Sequence, residues 1–395
     1  MHRRHLFSIG ITIGSALLAV PPVAAQQVAP VAAQHDAPMF WTVLNDTTLD
    51  RLLTQALRGN LDLRAADARL DGAGASRLHA ALELAPTVTA SAGYTRQRMS
   101  SAAFPGGGGS GVLPDRDLWD SGLHASWEVD VAGRLRGRLR AQNALMSSAT
   151  EDVRDARVAI TADVARTYFD LRGAQGQLSV AQLNAENQRR TLELTRTRLD
   201  AGRGNAFDTE RARAQLSSTL AAIPLLEARM AAMQHRLAVL VGRPPQELAA
   251  ELSAGGGLPP LPDSVPAPGP AHLMRTRPDV IAAEHRLAAS RALVSSARSD
   301  YLPRLSVAAS AGYIAADVDA FGRSGTFNYT VGPVLSWPMF DLGRVKARVD
   351  VAQAQEIEAR AQHEHAVLRA QAELETATVG YRSARERLGL LRDAA

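Results

Sequence analysis

The sequence copies itself. ASAGY stands at Ala90–Tyr94 and again at Ala309–Tyr313, and an internal repeat constrains architecture before any local signal does. Setting Asp62 against Asp279 gives a match without a gap as far as Pro86 and Pro303, with Ala65/Ala282, Ala66/Ala283, Arg69/Arg286 and Leu70/Leu287 identical. A second block sets WEVDVAGRLRGRL from Trp127 against WPMFDLGRVKARV from Trp337. There Trp127/Trp337, Gly133/Gly343, Arg134/Arg344 and Arg138/Arg348 coincide. Two blocks in the same order mark a tandem duplication, in which each unit reads helix, strand, strand, long helix.

The helical parts follow from spacing and breakers. Asp62–Leu84 and Asp279–Tyr301 are apolar at helical intervals and end at Pro86 and Pro303. From Arg134 to about Asp200 there is no proline, and Val153, Ile160, Val164, Leu171 and Leu178 recur at spacings of seven and four, the face of a coiled coil. A helix of that length is a rod of roughly 100 Å. The turn DAGRGNAFD follows, then a return helix from about Thr209 to Val241 that Gly242 and Pro244 stop.

The strands alternate. Val88, Ala90, Ala92 and Tyr94 share one face of the first, and Trp119, Leu123, Ala125, Trp127, Val129 and Val131 one face of the second. In the other unit the apolar sets are Leu305, Val307, Ala309, Ala311 and Tyr313, then Phe327, Tyr329, Val331, Leu335, Trp337 and Met339. A half-buried soluble sheet alternates too. Here, however, Trp119 and Trp127 lie eight residues apart, as do Tyr329 and Trp337. On a strand tilted about 45° that separates the rings by roughly 19 Å along a membrane normal, near the spacing of two interfacial girdles. Tyr94, Trp119, Trp127, Tyr313, Tyr329 and Trp337 are therefore expected at membrane interfaces. Lipid tolerates no open sheet edge, so four strands per chain require several chains to share a barrel. A dozen strands from three chains is the smallest closure with a pore wide enough for solutes.

Composition removes other classes. There is no cysteine, so disulfides, thiolate metal sites and cysteine nucleophiles are excluded. The net charge of +4 comes from arginines interleaved with acids, as in LELTRTRLD, with no block of like charge that would suit nucleic acid. His363 and His365 of HEH are two apart, off a shared helix face and without HExxH spacing. The glycines of FPGGGGSGVLPDRD precede no GK[ST] and suit an external loop. Neither a catalytic, a cofactor-binding nor a metal site is expected. Residues 1–25 carry a basic MHRRH, an apolar Leu6–Val20 and small residues before Ala25, the three parts of a secretory signal.

The motifs WEVDVAGRLR, RLDAGRGNAFDTERARAQL, LAVLVGRPP, RPDVIAAEHRLAASRALVSSARSDYLPRLS and LSWPMFDLGRVKARV, in this order from Phe40 onward, resemble the TolC-like outer-membrane efflux proteins, in particular the branch serving resistance-nodulation-division pumps. The resemblance implies an α+β membrane protein: a homotrimer whose 12-stranded β-barrel, four strands per chain, is continuous with a long periplasmic α-helical barrel. It implies a passive duct in the outer membrane of a Gram-negative cell, not an enzyme, binding no cofactor and no nucleic acid. Its partners would be outer-membrane lipid, a periplasmic adaptor and an inner-membrane transporter. Arg198, Gly202, Arg203 and Asp208 correspond to the family's adaptor-contacting tip. Without cysteine, no lipid anchor is expected.

The chain then divides into a signal peptide over 1–25, an N-terminal periplasmic, equatorial segment over 26–60, a first repeat over 61–250, a linker over 251–277 and a second repeat over 278–395. By the alignment of Tyr168 with Tyr381, the second repeat lacks its return helix, about 60 residues that the family uses for a second tip and its constriction. Two alternatives to a working channel follow. One is a truncated, non-conducting paralogue. The other is a soluble periplasmic coiled-coil adaptor, which would need no strand pairs bounded by tryptophan and tyrosine.

Overall fold

A computed structural model describes residues 39–98, 115–252, 257–259 and 270–394. The proposed signal peptide and most of the FPGGGGSGVLPDRD loop lie outside these residues. A short helix, α1 (Met39–Thr42), leads into α2 (Thr47–Gly59). Asp46 starts α2 by accepting the N–H groups of Thr48 and Leu49 at 3.0 and 3.1 Å, satisfying donors that the first turn leaves free. Next comes α3 (Leu61–Leu82). Asn60 caps it through Leu63 N–H at 3.0 Å and donates its own amide to the Leu240 carbonyl at 2.9 Å. One side chain thus starts a helix and ties it to a segment distant in sequence.

The strands β1 (Thr87–Gln97) and β2 (Arg116–Val129) follow, then α4 (Arg134–Asp200), α5 (Ala206–Val241) and α6 (Pro245–Leu252). After α7 (Pro270–Thr276) come α8 (Pro278–Ser299), β3 (Arg304–Ala315), β4 (Phe327–Ser336) and α9 (Leu342–Asp393). The order helix, strand, strand, long helix thus occurs twice. At 67 residues, α4 runs over the whole proline-free stretch. In contrast, α5 starts three residues before Thr209, because the Asn205 side chain accepts the Phe207 N–H at 2.9 Å.

The four strands form one antiparallel sheet in the order β1-β2-β3-β4. Two of its ends differ from the sequence expectation. Alternation carried Trp337 and Met339 onto the last strand, but β4 stops at Ser336. Pro338 has no N–H to donate and restricts the residue before it, so Trp337 lies just past the ladder. Val131 likewise lies beyond β2, where its N–H turns back to the Val129 carbonyl at 2.7 Å and Gly133 takes φ +78°.

The principal core is helical. Leu49, Leu52, Leu53 and Ala56 of α2 pack with Val153, Ile160, Val164, Tyr168 and Leu171 of α4, Leu237 and Val241 of α5, and Leu248 and Leu252 of α6. Each fully buried leucine contributes about 1.5–3 kcal/mol relative to exposure. The chain turns sharply where α5 ends: Gly242 has φ +72°, and a Cβ there would overlap the Gly59 carbonyl oxygen. Only glycine allows both the left-handed backbone and that approach.

Candidate functional site

The strand register collects the four apolar sets on one side of the sheet. Tyr94 pairs with Trp119, Leu123 with Ala311, Trp127 with Val307, Ala311 with Tyr329 and Leu305 with Leu335. Because side chains alternate between faces, the same register puts Thr89, Ser91, His124, Ser310 and Thr330 together on the opposite side. There His124 Nε2 lies 3.0 Å from Ser91 Oγ, and Thr89, His124, Ser310 and Thr330 line a cavity of about 420 Å³. Val88, Leu123, Tyr329, Val331 and Leu335 are all exposed. Among the described residues a single chain therefore presents a largely apolar face, with Arg96 and Asp117 paired at its outer end and Ser121 within it, a hydroxyl-rich face opposite, and two open edges at β1 and β4.

Aromatics mark the two ends of the apolar face. At the end away from the helices, Tyr94 and Trp119 have ring centroids 4.6 Å apart, and Tyr313 lies 5.6 Å from Phe327 and 5.9 Å from Phe321. Tyr329 adjoins this group through Phe327 at 6.3 Å. Sequence reasoning left Phe321 out, because it belongs to the loop between β3 and β4 and no strand period points to it. Trp127 and Trp337 stand at the helix end. Their indole N–H groups donate to the carbonyls of Leu84, at 2.9 Å, and Tyr301, at 3.0 Å.

The joint between sheet and helices is polar and closely packed. Arg134 forms a two-point pair with Glu128, at 3.0 and 2.6 Å, a strong geometry for a guanidinium. Asp130 caps α4 by accepting the N–H groups of Leu135 and Arg136 at 3.0 and 2.9 Å. Burial pushes the Asp130 carboxyl up, but these two N–H groups and the Arg136 guanidinium outweigh it and hold the group below the usual carboxylate range. A Cβ on Gly137 would come within 2.9 Å of Ser296 Cβ, so α4 and α8 approach backbone to backbone here.

Farther along the bundle, Asp152 and Asp155 of α4, Asp279 and Arg286 of α8, and His365 and Arg369 of α9 line a cavity of about 250 Å³. Arg277 grips Asp279 at 3.0 and 2.8 Å and reaches Glu373 at 2.7 Å. That grip outweighs burial and lowers the Asp279 carboxyl. Arg286 is paired with Asp152 at 2.6 Å. Asp155 has no such partner among the described residues. Desolvation by the surrounding helices, together with Asp279, raises its carboxyl above the usual range. Among the described residues no group of three or more acidic or histidine side chains is placed to hold a metal ion, and no helix is long and apolar enough to cross a membrane.

The opposite end of α4 carries the tip. The chain turns through Ala201–Asn205, with the Gly202 N–H on the Leu199 carbonyl at 2.9 Å and the Arg203 N–H on the Arg198 carbonyl at 2.8 Å. Gly202 takes φ +69° and faces open space. Arg198, Gly202, Arg203 and Asp208 all fall within this turn and its flanking helix ends, exposed and without ion pairs among the described residues. Sequence reasoning missed Gly204, where a Cβ would lie 2.6 Å from the Leu199 nitrogen. It also missed Phe207, which stands 67% exposed at the tip.

Residues 52–243 and 270–395 match the family described as outer membrane efflux protein. Nodulation protein T of Rhizobium leguminosarum bv. trifolii is 29% identical over 345 residues, covering 86% of this chain and 71% of that protein. The toluene efflux pump outer membrane protein TtgF of Pseudomonas putida is 29% identical over 316 residues, covering 80% of this chain and 64% of its own length. The solved outer-membrane channel OprN superposes with a TM-score of 0.84 at 37% identity, over 89% of this chain and 78% of that one. The chain thus spans about two thirds of these sequence relatives. With 318 of its 395 residues inside the family match (192 over 52–243 and 126 over 270–395), the chain belongs to the outer membrane efflux protein family.

Proposed function

We propose that the chain is the protomer of a trimeric outer-membrane channel that serves as the passive exit duct of a tripartite efflux system. The single observation that carries this reading is the register: four strands gather their apolar residues on one face and their hydroxyls on the other, with both sheet edges open. Such a sheet suits a barrel wall with lipid outside and water inside, and three copies supply twelve strands. Tyr94, Trp119, Tyr313 and Tyr329 then mark one interface and Trp127 and Trp337 the other. A soluble coiled-coil adaptor would leave that apolar face without an explanation.

The α4–α5 hairpin extends away from the sheet into the periplasm, and its tip at Arg198, Gly202, Arg203 and Asp208 meets an adaptor that joins an inner-membrane transporter. Chemistry has no part in the process: no catalytic group, cofactor or lipid anchor is assigned. The recurrence of helix, strand, strand, long helix, with Trp127 and Trp337 making the same bond in each, supports a tandem duplication. Outer-membrane fractions of cells expressing the chain should contain a heat-resistant trimer that conducts ions in planar lipid bilayers. A soluble monomer confined to the periplasm would rule the reading out.

A further inference from the structure

The polar face of the sheet carries few charges, and nearly all are neutralised or lie at its ends. Glu128 is paired with Arg134, and Arg304 with Asp300 at 2.6 Å. His124 lies against Ser91, and Arg116 is the first residue of β2. Asp120 differs. Among the described residues it makes no ion pair, and it stands in register with Gly93 of β1 and Ile314 of β3.

Glycines shape the wall around it. A Cβ on Gly93 would come within 2.7 Å of Asp120 Oδ1, so the carboxylate lies across the space that the missing side chain leaves. The next pair on this face, Gly122 and Gly312, approach so closely that a Cβ on either would meet the other strand's backbone. Gly93 and Gly312 are the glycines of the two ASAGY segments. Glycine at 93, 122 and 312 thus removes three side chains from the wall around Asp120, with Ile314 the side chain left in register beside it.

We propose that Asp120 sets the charge selectivity of the passage, three carboxylates forming a cation-attracting ring on its inner wall. The inference rests on the trimeric barrel of the preceding subsection. A twelve-stranded barrel has a radius of roughly 13 Å at the backbone. The screening length is about 10 Å in 0.1 M salt and about 30 Å in 0.01 M. In dilute salt the field of the ring therefore spans the lumen, and fixed wall charge biases which ion enters.

The test is the reversal potential of the purified full chain in planar bilayers under a gradient of dilute KCl. The wild type should prefer K⁺, and D120N should lower the K⁺/Cl⁻ permeability ratio about twofold while leaving the heat-resistant trimer and the conductance in place. D120C should behave as D120N does until treated with a sulfonate-bearing methanethiosulfonate. The reagent adds one negative charge at the only thiol in the protein and should restore the ratio. An unchanged ratio in conducting D120N trimers overturns the assignment of Asp120 and leaves the channel standing. No conductance from any variant, the wild type included, overturns both.

Discussion

The Trp127 indole donates its N–H to the Leu84 carbonyl oxygen across 2.9 Å, closing β2 onto the segment that leads out of α3. Trp337 and Tyr301 repeat the bond at 3.0 Å, one helix-strand-strand unit later. Both carbonyls lie two residues before a proline, Pro86 and Pro303, where no helical partner is offered. We expect W127F and W337F each to lower stability by about 1 kcal/mol, the usual net contribution of one such bond, with much of the ring packing kept. Thermal unfolding of the purified protein in detergent checks this. A large effect at one tryptophan and none at the other would refute an equivalent role for the two.

The two faces of the sheet should respond in opposite ways to charge. Ala309 and Ser310 are neighbours on β3, but Ala309 pairs with Ala125 and Val331 on the apolar side, and Ser310 with His124 and Thr330 on the polar side. An arginine facing lipid near mid-membrane costs about 2–4 kcal/mol, whereas one facing a water-filled lumen costs little. A309R should deplete the trimer from outer-membrane fractions, and S310R should not. Equal tolerance of the two would contradict the assignment of faces.

Much of this arrangement was legible because it is local and periodic. The α4 face built on Val153, Ile160, Val164 and Leu171 repeats along one helix, and each of these residues is buried. The strands read correctly through their middles; their helix-side ends differed where Pro338 or Gly133 cut the ladder, and β2 also begins at Arg116, three residues before the Trp119 from which alternation was read. What the sequence concealed is long-range. The Tyr168 hydroxyl donates to Asp46 at 2.5 Å and accepts from Arg172 Nε at 3.0 Å. Gln175 then accepts from the same guanidinium at 2.9 Å and donates to the Leu252 carbonyl, also at 2.9 Å. No spacing rule links residues 46, 168 and 252. Alternation alone puts Asp120 and Gly93 on the polar faces of their strands, but their contact was hidden for a related reason, since it depends on cross-strand register and not on either strand's own pattern.

Asp155 gives a pH dependence with a definite sign. Its carboxyl binds a proton more tightly in the folded chain than in the unfolded one, through desolvation and the nearby Asp279. Its contribution therefore favours folding below the unfolded value of about 3.9 and is lost as pH rises through the higher folded value. D155N should be more stable than the wild type at about pH 7, with the difference closing towards about pH 4. Asp130 and Asp279, whose carboxyls are lowered, act in the reverse sense, favouring folding above the unfolded value and losing that effect on acidification. Asp130 contributes equally to both proteins, and the difference between the two melting curves reports Asp155 together with its coupling to Asp279. A gap that widens on acidification would contradict the sign.

At the tip, two glycines two residues apart should differ in kind. Gly202 takes φ +69° but faces open space, so G202A costs only the left-handed strain, about 1–2 kcal/mol. At Gly204 a Cβ would stand 2.6 Å from the Leu199 nitrogen and 2.9 Å from the Arg198 carbonyl carbon. Both are backbone atoms of a helix end that cannot rotate aside, so G204A must shift the turn itself. That shift would move Arg203 and Asp208 relative to Arg198. G204A should therefore weaken adaptor capture far more than G202A, although both trimers remain heat-resistant, because the sheet and the principal core lie far from the tip. Co-purification of an adaptor with each variant is the measurement. If G202A abolishes capture and G204A spares it, the turn is not what positions these three side chains.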